Sequence, residues 1–107
     1  MRKVAVIGVG HSKFGIRKDV NLSELTYEAV KPALQDATVN IPDIDFVAYA
    51  TVGGMYEESL PAVVAAEYSG FTGAGLVRFE AACASGSAAF YTSYLNVASG
   101  MSDATFR

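Results

Sequence analysis

Residues 80–89 read Glu80-Ala81-Ala82-Cys83-Ala84-Ser85-Gly86-Ser87-Ala88-Ala89, and this stretch decides how the chain is built. Just before it, Leu76-Val77-Arg78-Phe79-Glu80 has the branched and aromatic residues of a strand, with alternating charges that mark a less buried face or an edge. After it, residues 83–99 hold Ala, Ser and aromatics without one charged side chain, and Gly100 closes the run. A helix uncharged around its whole circumference is expected in an interior. A strand that runs straight into such a helix is the junction of an open α/β sheet, where ligands bind at the carboxyl ends of the strands.

Working outward, residues 60–68 read as a helix, with Ser59 as its cap, Pro61 tolerated in the first turn and Gly70 as the left-handed terminator. Residues 46–51 read as a strand ended by Gly53-Gly54. Residues 22–37 predict a helix: Asn21 caps it, Glu24 completes a variant capping box, and Leu22, Leu25, Ala29, Ala33 and Ala37 share one face. Pro32 deletes a backbone donor inside that span and predicts a kink or an early end. The opening run Val4-Ala5-Val6-Ile7-Gly8-Val9 lacks polar alternation, which predicts a strand buried on both faces and ended by the Gly8-Val9-Gly10 turn. Asp103-Ala104-Thr105-Phe106-Arg107 reads as a turn feeding one more strand. Strands alternating with helices predict an α/β fold, with a parallel-rich sheet, right-handed crossovers and helices on both faces. A sheet stopped in mid-strand leaves unpaired backbone, so residues 1–107 are expected to be one incomplete domain, the leading portion of a longer chain.

Composition narrows the function classes. With 107 residues, 51% of them hydrophobic, the chain can bury one core but not two. Disorder and collagen-like repetition are excluded. The net charge of −3, with no basic run to track a phosphate backbone, argues against nucleic acid. The single cysteine, Cys83, has no partner for an internal disulfide, and with the single histidine, His11, it falls short of a closed zinc shell, so no metal is expected. The opening apolar run is broken by Gly8 and followed by His11, Ser12 and Lys13. It has neither a signal peptide's cleavage pattern nor a membrane span's length, and a cytoplasmic location is expected.

The chemistry concentrates at Cys83. At or near the first turn of a helix, unpaired backbone donors and the positive end of the dipole favour thiolate over thiol. Ala81 and Ser85 give the sharp turn the small neighbours it needs, main-chain donors beside the sulfur suit a developing oxyanion, and Gly86 permits close approach. A cysteine among alanines is otherwise a small buried hydrophobe; position at the junction makes Cys83 the candidate nucleophile. Gly8-Val9-Gly10 is not a dinucleotide fingerprint, because the third glycine would fall at Lys13 and no helix opens there. His11 carries no assigned role. Lys13, Arg17 and Lys18 read as a solvated loop face rather than a phosphate site, and Glu57 and Glu58 as favourable charge near a helix start.

Two blocks carry a family resemblance: Val4-Ala5-Val6-Ile7-Gly8-Val9-Gly10-His11-Ser12-Lys13-Phe14-Gly15, and the cysteine block of residues 80–89. With the intervening elements in the expected order, the whole chain resembles the thiolase superfamily, and within it the archaeal acetoacetyl-CoA thiolases and the sterol-carrier-protein-x type thiolases. The resemblance implies the first part of a five-layer αβαβα fold, in a homodimeric enzyme of two similar halves. By that match Cys83 would accept an acetyl group from acetyl-CoA, and a second, α-deprotonated acetyl-CoA would attack it to give acetoacetyl-CoA; the reverse is thiolysis. Coenzyme A thioesters would be substrates, with no resident cofactor. The family also draws a histidine, a second cysteine and an Asn- or His-bearing motif from its second half. His11 lies in none of these, so the chain alone is expected to be inactive. Further implied are the mevalonate pathway, a hydroxymethylglutaryl-CoA synthase and a small OB-fold partner. Other condensing enzymes share the Cys-headed helix, such as type III ketoacyl synthases and hydroxymethylglutaryl-CoA synthases. From a different class, a non-catalytic acyl-CoA-binding or dimerisation module is also compatible with the sequence.

Overall fold

Local signals set most element bounds in the computed structural model, which describes residues 1–52 and 59–106. Helix α1 (Leu22–Ala37) begins at a complete capping box: Glu24 N–H donates to Asn21 Oδ1 at 2.8 Å, and Asn21 N–H donates to Glu24 Oε1 at 3.0 Å. α1 keeps the span expected for it and, of the kink or early end expected at Pro32, shows no early end: it continues to Thr38, which is left-handed at φ 57°. Tyr27, Val30 and Leu34 anchor it in the core on both sides of the proline, and that burial outweighs one lost hydrogen bond. A short 3₁₀ turn, Ile41–Asp43, leads into β1 (Phe46–Ala50). Helix α2 (Pro61–Ser69) starts from Leu60 and not from Ser59, because proline's fixed φ suits the first helical position. Its end is as the sequence implied, with Gly70 at φ 95°. Strand β2 (Gly75–Phe79), α3 (Ser85–Ala98) and β3 (Thr105–Phe106) follow. The proposed strand end at Gly53-Gly54, like Glu57 and Glu58, lies outside the described residues.

The three strands are parallel in the order β2-β1-β3, with Phe46 opposite both Gly75 and Thr105, and Ala50 opposite Phe79. Among the described strands β2 is an edge, one of the two placements its charges suggested. The connection from β1 steps to β2 on one side, and the next returns past β1 to β3 on the other. Right-handed crossovers in opposite directions put α2 and α3 on opposite faces. α1 stacks against α2, and between that layer and the sheet lie Val30, Ile44, Val47, Ala66 and Phe71. The Phe71 and Phe106 rings meet at 5.3 Å. Ala48, also buried, points by strand alternation to the other face, against which α3 packs.

One expectation needs correction. Residues 4–9 form no strand, and Val6, Ile7 and Val9 are exposed. Contacts to helices hold this segment instead: Val9 N–H donates to Asp36 Oδ2 at 2.9 Å, and Arg2 N–H to the Ala98 carbonyl at 2.9 Å. The alanine face of α1 receives it, so closely that a Cβ at Gly8 would stand 2.6 Å from the Ala33 carbonyl oxygen. The shared face of Ala29, Ala33 and Ala37 thus carries the N-terminal segment, while Tyr27, Val30 and Leu34 enter the core. Within this chain α3 is interior on one side: only Ser85, Ala89, Ser93 and Ala98 of it are buried, and Tyr91 is 61% exposed, because the sheet covers a single side of the helix.

Candidate active site

The carboxyl ends of β1 and β2 lie side by side at Ala50 and Phe79, and the chain turns from β2 into α3 through residues 80–84. Cys83 stands in this turn, two residues before the first helical residue, with its side chain exposed. Its placement is the one read from the sequence, at the strand-to-helix junction and not within the helix.

The turn is built from short bonds. Ala84 N–H donates to the Ala81 carbonyl at 2.9 Å and Ser85 N–H to the Ala82 carbonyl at 3.2 Å. Ala82 adopts φ 48°, one of two non-glycine residues with positive φ among those described. A Cβ makes that conformation costly, so surrounding contacts must hold it. Glu80 Oε1 accepts from Ala82 N–H at 2.7 Å, and the Ser85 hydroxyl bonds on either side of Ala82. Sequence reading valued Ser85 only for small size and gave Glu80 no role. The signal for both was a polar side chain within hydrogen-bonding reach of a turn that otherwise holds only alanines and Cys83.

Beyond Cys83 the helix start is open. Its N-cap is Ala84, at φ −94° and ψ 9°, which offers no side-chain acceptor to the first-turn N–H groups. Gly86 faces free space, since a Cβ there would meet nothing within 4 Å. Gly86 also borders an apolar cavity of about 240 Å³ that reaches Ala50, Ala65 and Ala89. The arrangement offers an accessible sulfur, uncapped donors beside it, and room for a substrate to approach.

Other candidates fall elsewhere. His11 Nδ1 lies 2.8 Å from the Ser12 carbonyl oxygen, and the ring packs 5.6 Å from that of Phe14. Arg17 is taken up by ion pairs to Asp19 at 3.0 Å and Glu28 at 2.8 Å. Hydrogen bonds from Arg17, then from Lys13 N–H, hold the Glu28 carboxyl down at about 2, and Arg17 likewise lowers Asp19. This cluster ties the loop to α1, which fits the reading of a loop face over that of a phosphate site. No group of three or more potential metal ligands occurs among the described residues. No helix among them is long and apolar enough to cross a membrane.

A parallel sheet whose carboxyl edge presents a cysteine at a helix mouth defines the class as an open α/β fold with its candidate site at the strand ends. Residues 4–106 match the family described as Thiolase, N-terminal domain. The chain belongs to that family. It is 40% identical over 105 residues to an acetyl-CoA acetyltransferase of Methanocaldococcus jannaschii and 38% identical over 105 residues to one of Methanothermobacter thermautotrophicus. Each alignment covers 96% of this chain but 27% of the relative, so the chain spans about a quarter of their length. Among solved structures, acetyl-CoA acetyltransferase from Syntrophomonas wolfei superimposes with a TM-score of 0.74 at 25% identity, over 91% of this chain and 26% of that one. The priming β-ketosynthase of the R1128 polyketide pathway gives 0.70 at 28% identity, over 80% of this chain and 26% of that one.

Proposed function

We propose that this chain is the N-terminal part of an acetyl-CoA acetyltransferase and that Cys83 is its acyl acceptor. The observation that carries the reading is the exposed Cys83 at the uncapped mouth of α3, in a chain 38–40% identical to two acetyl-CoA acetyltransferases. Cys83 Sγ, as thiolate, attacks the thioester carbonyl of acetyl-CoA. Charge gathers on the carbonyl oxygen, where first-turn N–H groups suit it, and coenzyme A leaves as thiolate. The enolate of a second acetyl-CoA then attacks the acetyl-cysteine carbonyl, forming the carbon–carbon bond and releasing Cys83 thiolate with acetoacetyl-CoA. The α-proton goes to a base. Cys83 and His11 are the only cysteine and histidine in the chain, so in this reading the histidine and second cysteine that serve the family lie outside residues 1–107.

In the same reading the whole protein is a cytoplasmic homodimer at the entry to the mevalonate pathway, working beside a hydroxymethylglutaryl-CoA synthase and an OB-fold partner. Likeness to the priming β-ketosynthase keeps a related condensing enzyme as the second reading. Incubation with radiolabelled acetyl-CoA is the test: label is expected on Cys83, and no acetoacetyl-CoA is expected from this chain alone. Absence of label would favour a non-catalytic acyl-CoA-binding or dimerisation module. Acetoacetyl-CoA formation would refute the missing base.

A further inference from the structure

The turn that presents Cys83 depends on one buried hydroxyl. Ser85, 5% exposed at the first position of α3, accepts from Ala81 N–H at 2.9 Å and donates to the Ala82 carbonyl at 2.7 Å. These bonds bracket Ala82, the residue at φ 48°, by holding the peptide unit before Ala81 and the one after Ala82, while Glu80 Oε1 takes the N–H of the unit between them. A non-glycine residue stays in that region only when its surroundings over-determine it, and here one hydroxyl uses donor and acceptor together. Cys83 follows directly, so the Ala82 dihedrals set where the sulfur stands relative to the open N–H groups of Gly86 and Ser87.

We propose that Ser85 is a positioning residue for acyl transfer, its hydroxyl locking Ala82 in the left-handed turn that aims Cys83 at the mouth of α3. The assignment rests on the reading of Cys83 as acyl acceptor, but its test uses no acyl-CoA. Without the hydroxyl, Ala82 relaxes to negative φ and carries the sulfur away from the helix mouth. The same helix supplies a control: the Ser93 hydroxyl is also buried but has no hydrogen-bond partner.

The measurement is the rate at which iodoacetamide alkylates Cys83 in the 107-residue chain, with folding followed by circular dichroism. Ser85→Ala is expected to slow alkylation of the folded protein roughly five-fold or more, the shift that the lower end of such backbone strain commands. Ser85→Thr keeps the hydroxyl and the rate, and Ser93→Ala leaves the rate unchanged. Ala82→Gly accepts positive φ without a clamp, so the double variant S85A/A82G recovers the rate that S85A loses. A merely structural Ser85 would lower stability and leave the folded protein's rate alone. A wild-type rate in S85A, or a folded double variant as slow as S85A, overturns the proposal. If S85A does not fold, the double variant decides: wild-type alkylation supports the clamp, and slow alkylation or failure to fold overturns it. Should wild-type chain take no acetyl label while these rates behave as stated, the proposed function falls and the clamp stands. Labelling with a wild-type rate in S85A gives the converse.

Discussion

Two helices of this chain start in opposite ways. At α1, Asn21 and Glu24 satisfy each other's backbone donors in a reciprocal box, and Arg17 and Glu28 bind the preceding loop to the helix. At α3, Ala84 offers only a methyl group, and the nearby polar side chains, Glu80 and Ser85, bond to the turn and leave the first-turn donors alone. A side-chain cap is worth about 1 kcal/mol. Its omission at α3, with Cys83 exposed at the helix start, separates a start closed by side chains from one left open at the proposed acyl acceptor.

That contrast breaks most sharply at the sulfur. Cys83→Ala should abolish acetyl labelling, a loss of roughly a hundred-fold or more, yet move the urea midpoint by no more than about 0.5 kcal/mol, as expected for an exposed side chain. Loss of folding would show that Cys83 is structural. Asn21→Ala should do the reverse. It removes the cap bond to Glu24 and should cost about 1 kcal/mol in urea unfolding while Cys83 alkylation stays at the wild-type rate. A changed rate would mean that the two starts are not independent.

The Glu28 tie sharpens the comparison through pH. Its carboxyl is held at about 2 by Arg17 and Lys13, against an ordinary value near 4.5. A depressed folded-state value means stability fully present above the ordinary one and lost as pH falls through the folded one. Urea midpoints of wild type and Glu28→Gln should therefore differ at pH 6, approach each other below about pH 4.5 and converge as pH falls through about 2. A difference as large at pH 2 as at pH 6 would remove the ion pair as its cause. The gain is small, since the pair is partly exposed and screened by salt.

Sequence reading and structure agree best where local bonding decides. The Asn21 box and the αL Gly70 fixed helix ends to the residue or nearly so, and Cys83 could be placed from the strand and helix patterns that flank it. Agreement fails where a segment's partner is non-local. Residues 4–9 carry a strand's composition, but composition does not say whether a free sheet edge or a helix face will receive them, and the alanine face of α1 does. The uncharged sequence of α3 shows what the helix could bury, and the sheet covers only one side of it. At the site, the nucleophile's position was legible. The Ser85 clamp was not, because it follows from the Ala82 dihedrals, which no residue-type pattern at an alanine reveals.

The smallest effect belongs to an attempt to make α3 begin like α1. Ala84→Ser places a cap-forming side chain at the N-cap, where the usual gain would be about 1 kcal/mol. Capping, however, requires extended backbone at that position: Asn21 has ψ 176°, whereas Ala84 has ψ 9°. With that dihedral the serine hydroxyl does not reach the Ser87 N–H, and rotating ψ into range would unmake the bonds from Ala84 N–H to Ala81 and from Ser85 N–H to Ala82. Ala84→Ser should therefore shift stability by less than about 0.5 kcal/mol and leave Cys83 alkylation within about two-fold of wild type. A full cap's worth of stabilisation accompanied by slower alkylation would show that the turn can yield. The open mouth of α3 would then be a matter of which residue occupies position 84, and not of the strained turn before it.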